Sequence, residues 1–226
     1  MPGLEDAGSH IVELGIPFSD PVADGPVIQA TSDAALRGGM RPRNVLDLVG
    51  EVRSRTEAPL ILMGYYNPIF RMGESEFTAL AAQKGADGLI VPDLPLEESG
   101  HLRKCCLREG VDLVQLVAPT TPDDRMRRIA SGSSGYLYLV SRLGITGAGT
   151  SPENDLAALV RRTKSCAGTL PVAAGFGIAT PNQVRQLRGQ GADGAIVGSA
   201  ILKRIMEGEG PRKVSAYVRS LKDECR

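Results

Sequence analysis

The sequence predicts an α/β chain of the (β/α)8 TIM-type barrel class that lacks its first strand and most of its first helix, one N-terminally incomplete barrel domain over residues 1–226. Three features lead there. Gly8-Ser9-His10-Ile11-Val12-Glu13, Gly85-Ala86-Asp87-Gly88-Leu89-Ile90-Val91 and Gly191-Ala192-Asp193-Gly194-Ala195-Ile196-Val197 repeat one theme: a glycine suited to the left-handed end of a helix, a short turn, then a compact apolar run. The apolar runs are continuous instead of alternating, which is how strands buried on both faces of a parallel sheet read. Their ends mostly recur every ~23 to 34 residues, the length of a strand and its return helix. Because such barrels use about 200 to 250 residues as one domain, a closed barrel is favoured over an open doubly wound sheet.

Taken in order, Leu4-Glu5-Asp6-Ala7-Gly8 reads as the last turn of a helix whose own preceding strand is not in the chain. The strand at Ile11-Val12-Glu13 follows. A loop rich in proline and glycine comes next, with two helical pieces at residues 27–37 and 44–53; this longest interval is where function is expected. Further strands fall at Leu60–Met63, around Leu89-Ile90-Val91, at residues 113–117, 136–140 and 171–174, and around Ala195-Ile196-Val197, about seven in all, alternating with helical segments.

The 26 basic and 26 acidic residues cancel, so no global field exists to hold nucleic acid or an anionic membrane, and any grip on phosphate is local. No apolar run approaches the ~18 residues that span a bilayer, and the start MPGLEDAGSH has neither the basic nor the apolar region of a secretory signal. A cytoplasmic protein is expected. Cys105, Cys106, Cys166 and Cys225 lack metal or redox spacing and read as reduced.

Glu13 interrupts an apolar strand near the end where barrels carry their chemistry. It faces either the barrel interior or the helix layer; burial there raises a carboxyl toward the range useful for general acid-base work, and the bland alternative is a structural carboxylate. Directly after it, Pro17-Phe18-Ser19-Asp20-Pro21-Val22-Ala23-Asp24-Gly25-Pro26 is a loop stiffened by prolines. Asp20 or Asp24 reaches over the mouth, or both serve turns and the next helix start. Phosphate binding is expected from three glycine-rich places. Gly175-Phe176-Gly177 leads into a helix at Thr180-Pro181, Gly198-Ser199 opens another, and the loop from Ser141 and Arg142 through Thr146 and Gly147 to Thr150 is placed to act as a lid. Every lysine lies in a helix-like segment, and neither His10 nor His101 has a companion at metal-ligand spacing, so neither a Schiff-base lysine nor a metal site is offered. Carbon–carbon cleavage here needs a substrate with its own electron sink and carboxylates that move protons.

Glu13-Leu14-Gly15 with the loop from Pro17 to Pro26 resembles the signature of the tryptophan synthase α-subunit family. The resemblance continues in family order through Leu62-Met63-Gly64-Tyr65-Tyr66-Asn67-Pro68, Val91-Pro92-Asp93-Leu94-Pro95, Tyr138-Leu139-Val140-Ser141-Arg142-Leu143-Gly144-Ile145-Thr146-Gly147, Gly175-Phe176-Gly177-Ile178 and Gly198-Ser199-Ala200-Ile201. It implies a lyase that splits indole-3-glycerol phosphate into indole and glyceraldehyde 3-phosphate in tryptophan biosynthesis. It also implies roles: Glu13 as general acid-base group, Asp24 as acceptor for the indole N–H, Tyr138 and Phe176 beside the indole, Gly147, Gly177, Gly198 and Ser199 at the phosphate, and Thr146 and Arg142 on the closing loop. By the same resemblance the chain needs no cofactor or metal, and its partner is a pyridoxal-phosphate β subunit in an αββα assembly, met through the Pro17 to Gly25 loop. Two rivals share the glycine sites: another phosphate-binding barrel, such as a phosphosugar isomerase or a prenyl-glyceryl phosphate synthase, and a non-catalytic subunit that activates its β partner.

Overall fold

The computed structural model describes residues 2–140, 152–175 and 177–225. In chain order the elements are α1 (Pro2–Asp6), β1 (Val12–Gly15), α2 (Pro26–Arg37), α3 (Pro42–Arg53), β2 (Leu60–Met63), α4 (Tyr66–Met72), α5 (Glu74–Lys84), β3 (Gly88–Ile90), α6 (Gly100–Glu109), β4 (Asp112–Val117), α7 (Asp123–Gly132), β5 (Leu137–Val140), α8 (Pro152–Ala167), β6 (Val172–Gly175), α9 (Pro181–Gly189), β7 (Gly194–Ile196), α10 (Ser199–Met206) and α11 (Pro211–Lys222), with a final 3-10 turn at Asp223–Cys225. The expected strand runs are all strands. Helices α2 and α3 begin at Pro26 and Pro42, one and two residues earlier than the sequence reading, because proline at the first helical position loses no hydrogen bond that the helix could have made. The glycines of the three repeated junctions, Gly8, Gly85 and Gly191, all have φ near +90° to +100°, the conformation that closes a helix without a Cβ penalty.

The seven strands form one parallel sheet in sequential order from β1 to β7, and Glu13 lies opposite Ile61 in the β1–β2 register. Alternate residues split the core in two. Val12, Leu14, Leu60, Leu62, Leu89 and Leu113 face outward onto α3, α5 and α6, where Leu46, Val49 and Phe77 are fully buried. Val117, Leu137, Leu139 and Val172 do the same against α7, α8 and α9. The inward face is a separate apolar cluster built on Ile61, Ile90, Val114, Tyr136 and Tyr138, so the sheet curls around an interior of its own, as a barrel does.

Strands β1 and β7 are the two edges of the sheet. The helix layer nevertheless connects across them: α1 packs on α11 and α2 on α10, and Ser215 Oγ donates to Gly3 O at 2.9 Å. Neither α2 nor α10 buries a residue, and β7 is half-buried along its length. Strand pairing and burial are therefore weakest along the gap between β1 and β7.

No helix among the described residues is long and apolar enough to cross a membrane. The four cysteines are free, and burial pushes the Cys106 thiol up to about 12, which keeps it inert.

Candidate active site

Glu13 is the second residue of β1, flanked by the outward-facing Val12 and Leu14, and the two-residue strand period turns its side chain to the barrel interior. Of the two orientations left open by the sequence, the interior is the one adopted. There the hydroxyl of Tyr136, from the residue just before β5, donates to Glu13 Oε1 at 2.8 Å. Burial pushes the Glu13 carboxyl above the usual carboxylate range, and the Tyr136 hydrogen bond partly opposes the rise.

The loop after β1 resolves the choice between its aspartates. Asp20 is exposed, and its carboxyl accepts from its neighbour Ser19, the turn role that the bland reading assigned. Asp24 is half-buried, and its Oδ2 accepts from the Tyr65 hydroxyl at 2.9 Å. Here too burial raises the carboxyl and the tyrosine hydrogen bond opposes it. Asp24 still takes part in a turn, since its N–H donates to Pro21 O at 3.0 Å.

Tyr138 joins the two carboxyls. It projects inward from β5 and is 8% exposed. Burial raises its hydroxyl out of the titrating range, and the negative charges of Glu13 and Asp24 both add to the rise, so all three groups share one electrostatic neighbourhood. Gly175 at the end of β6 makes room for the ring: a Cβ there would lie 2.7 Å from the Tyr138 hydroxyl oxygen and 2.9 Å from Ile196 Cβ.

The glycines expected to bind phosphate divide by how their helices are capped. At α9, Thr180 and Gln183 form a reciprocal capping box, with Gln183 N–H on Thr180 Oγ1 and Thr180 N–H on Gln183 Oε1, which commits first-turn donors to the helix itself. Helix α10 starts at Gly198 with no side-chain cap. The N–H groups of Ser199 and Ala200 lie in its first turn, where no intrahelical acceptor exists, which leaves these donors and the positive end of α10 available to an anion. A Cβ on Gly198, or on Gly177 with its φ of +80°, would meet nothing within 4 Å. The open donor set for an anion is thus at α10, with the Gly177 turn bordering open space.

Arg142, Thr146, Gly147 and Phe176 lie outside the described residues. Sequence reasoning missed Tyr136 and Tyr65, reading the first only as part of a strand and the second only as part of a motif. The available signal was a tyrosine at each end of a buried run, whose hydroxyl needs a polar partner. A groove of about 810 Å³ is lined by Pro17 and Phe18 together with Arg41, Arg43 and Arg71, and its lining includes none of Glu13, Asp24 and Tyr138. All lysines lie in helices, as the sequence indicated.

This constellation, two raised carboxyls near an interior tyrosine and a helix start with no side-chain cap on α10, coincides with a match over residues 1–225 to the family model described as tryptophan synthase alpha chain. The chain belongs to that family. A tryptophan synthase alpha chain from Synechococcus sp. (strain CC9902) is 52% identical over 202 residues, which cover 89% of this chain and 75% of the relative. The crystal structure of tryptophan synthase subunit alpha from Legionella pneumophila str. Paris superposes with a TM-score of 0.89 at 36% identity, covering 99% of this chain and 84% of that one. The alpha-family likeness extends to the tryptophan synthase α2β2 complex of Pyrococcus furiosus, with a TM-score of 0.84 and 36% identity over 98% of this chain and 88% of that one.

Proposed function

We propose that the chain catalyses the retro-aldol cleavage of indole-3-glycerol phosphate to indole and glyceraldehyde 3-phosphate, the α-type lyase step of tryptophan biosynthesis, with Glu13 and Asp24 as its two working carboxyls. The observation that carries this reading is the hold on those carboxyls: Glu13 is turned into the barrel interior and bonded by Tyr136 at 2.8 Å, and Asp24 is half-buried on the following loop and bonded by Tyr65 at 2.9 Å.

A raised Glu13 holds a proton at pH values where an ordinary glutamate has lost it, so it can protonate the indole ring at C3. Asp24, as carboxylate, accepts a hydrogen bond from the indole N–H and stabilises the positive charge that then spreads to nitrogen. The Glu13 carboxylate next takes the proton of the glycerol hydroxyl on the carbon attached to C3. The C–C bond breaks, its electron pair restores the indole ring, the alkoxide becomes the aldehyde, and Glu13 ends protonated as it began. The ring is the electron sink, so the step asks for no lysine. The substrate phosphate sits at the open start of α10, beside Gly198 and on the N–H groups of Ser199 and Ala200, with Gly177 near it; Phe176, Gly147, Thr146 and Arg142 keep the pocket and loop roles that family likeness implies. The partner is the β subunit in an α2β2 assembly, and the pyridoxal phosphate belongs to that partner.

Single-turnover assay of Glu13→Gln tests the reading. General acid-base groups contribute about 10² to 10⁴ in rate, so indole release is expected to fall by at least about 10²-fold while far-UV circular dichroism is unchanged. Turnover at the parent rate would remove Glu13 from the mechanism.

A further inference from the structure

The loop that carries Asp24 is held in two ways. Three hydrogen bonds tie it to the helix that follows it: Phe18 N–H donates to Ser32 Oγ at 2.9 Å, Ser32 Oγ donates to Phe18 O at 3.1 Å, and Gln29 Nε2 donates to Asp24 O at 2.9 Å. That helix, α2, buries none of its own residues, so these bonds join the loop to an element that is itself loosely seated. The second hold comes from the sheet. Tyr65, at the end of β2, is 4% exposed, and its hydroxyl accepts from Ala23 N–H and donates to Asp24 Oδ2, both at 2.9 Å.

Tyr65 is well placed to bear that load. Gly64 N–H, just before it, donates to Ile90 O at 3.1 Å, and Tyr66 N–H, just after it, donates to Asp93 Oδ1 at 2.9 Å. Its peptide is therefore fixed to the third strand and the segment beyond. The ring of Phe18, from the start of the same loop, packs on the Tyr65 ring with centroids 5.3 Å apart. One phenol thus meets the loop at its beginning, at its backbone and at its carboxylate. Among the described residues Asp24 Oδ1 takes no hydrogen bond, which leaves that oxygen for a ligand donor.

We propose that Tyr65 is a positioning residue: its hydroxyl locks the Asp24 carboxylate and the backbone beside it to the sheet, presenting Oδ1 to the indole N–H. The inference rests on Asp24 being the carboxylate that receives that N–H. A carboxylate on a loop held only by α2 samples many orientations, and misplacement of about 1 Å costs on the order of 10²-fold in rate.

Tyr65→Phe keeps the ring on Phe18 and removes the hydroxyl. With indole-3-glycerol phosphate as substrate, kcat is expected to fall by about 10- to 100-fold, while KM, set mainly by the phosphate grip at α10, changes less than about threefold. The groups that face Asp24 are Tyr65 and Tyr138, with Asp93 acting on Tyr65. Loss of the donor raises the Asp24 carboxyl, so the acid limb of kcat moves to higher pH, and ¹³C-carboxyl NMR of labelled aspartate shows the same displacement without reference to activity. Unchanged kcat with an unmoved Asp24 titration overturns the proposal. So does a variant that only unfolds at lower temperature or fails to fold, since the hydroxyl would then serve the fold. Asp24→Asn separates the two levels: if it turns over at the parent rate, the role given to Asp24 fails; if it is impaired while Tyr65→Phe is not, only the positioning role fails.

Discussion

Tyr136 donates its hydroxyl hydrogen to Glu13 Oε1 at 2.8 Å, joining residues 123 positions apart across the interior of the sheet. The bond stabilises the charged form of a carboxyl that burial disfavours, so Glu13 is held between its two protonation states by opposing effects. A group that must give and then take a proton in one turnover is served by that balance.

Removing the donor shifts the balance one way. In Tyr136→Phe the Glu13 carboxyl rises further, since a hydrogen bond to the charged form is lost. Glu13 delivers a proton first, and activity disappears as pH rises through its pKa; the alkaline limb of kcat is therefore expected to move to higher pH, with kcat at the optimum within about tenfold of the parent. A pH–rate profile with an unmoved limb counts against the contact.

Glu13 also links stability to pH. Its folded value lies above the ordinary 4.5, so between 4.5 and the raised folded value the folded chain holds more protons than the unfolded one, and stability falls as pH rises through that window. Glu13→Gln removes the fall. Calorimetry should find its Tm higher than the parent's near neutral pH, with the gain vanishing as the pH drops below the window. A gain that is constant with pH would show that the side chain acts through packing alone.

Gly198 permits a test in which affinity and stability move in opposite directions. Its φ is negative, at −113°, and a Cβ would meet nothing within 4 Å. Gly198→Asp places a carboxylate at the uncapped start of α10, where it favours the helix by up to about 1 kcal/mol and competes with the substrate phosphate for the same donors. KM is expected to rise by about 10²-fold, comparable to losing a charge-assisted contact, with Tm unchanged or higher. An unaltered KM would place the phosphate elsewhere.

Gly175→Ala probes the room left for Tyr138. The added carbon would sit 2.7 Å from the tyrosine oxygen and 2.9 Å from Ile196 Cβ, closer than atoms approach without displacement. Overpacking of this kind costs about 1 to 3 kcal/mol, and because the tyrosine ring must give way, kcat is expected to fall with stability. Chemical denaturation and turnover, measured together, check both; loss of stability at full activity would take Tyr138 out of the site.

Much of the fold is legible locally. Every strand but β2, which follows Ala58-Pro59, announces itself as an apolar run a few residues after a glycine, because a chain buried on both faces has few polar positions to spend and a helix must end before the strand begins. The sheet order from β1 to β7 follows from the recurrence of those runs, since a helical return between parallel strands brings the chain back to the neighbouring position, whether it is one helix or, as between β1 and β2 and between β2 and β3, two. Glu13 stands out for the same local reason, as a carboxyl inside an apolar run. Asp20 and Asp24 do not separate in this way: they are four residues apart in one loop, and nothing in their spacing says that only one meets a tyrosine.

The amino-acid sequence by itself determined which segments become strands and helices, and it singled out the acidic residue of β1 and the glycines before α9 and α10, because burial pattern and backbone freedom are written residue by residue. Only the tertiary structure decided that Glu13 points inward, that Tyr136 and Tyr65 each restrain one carboxyl, and that α10 instead of α9 keeps its donors open. The physical reason is that a buried polar group must be satisfied by whatever the fold brings beside it, over 123 positions for Glu13 and 41 for Asp24, and proximity across such distances is a property of the curled sheet and of no local stretch of chain.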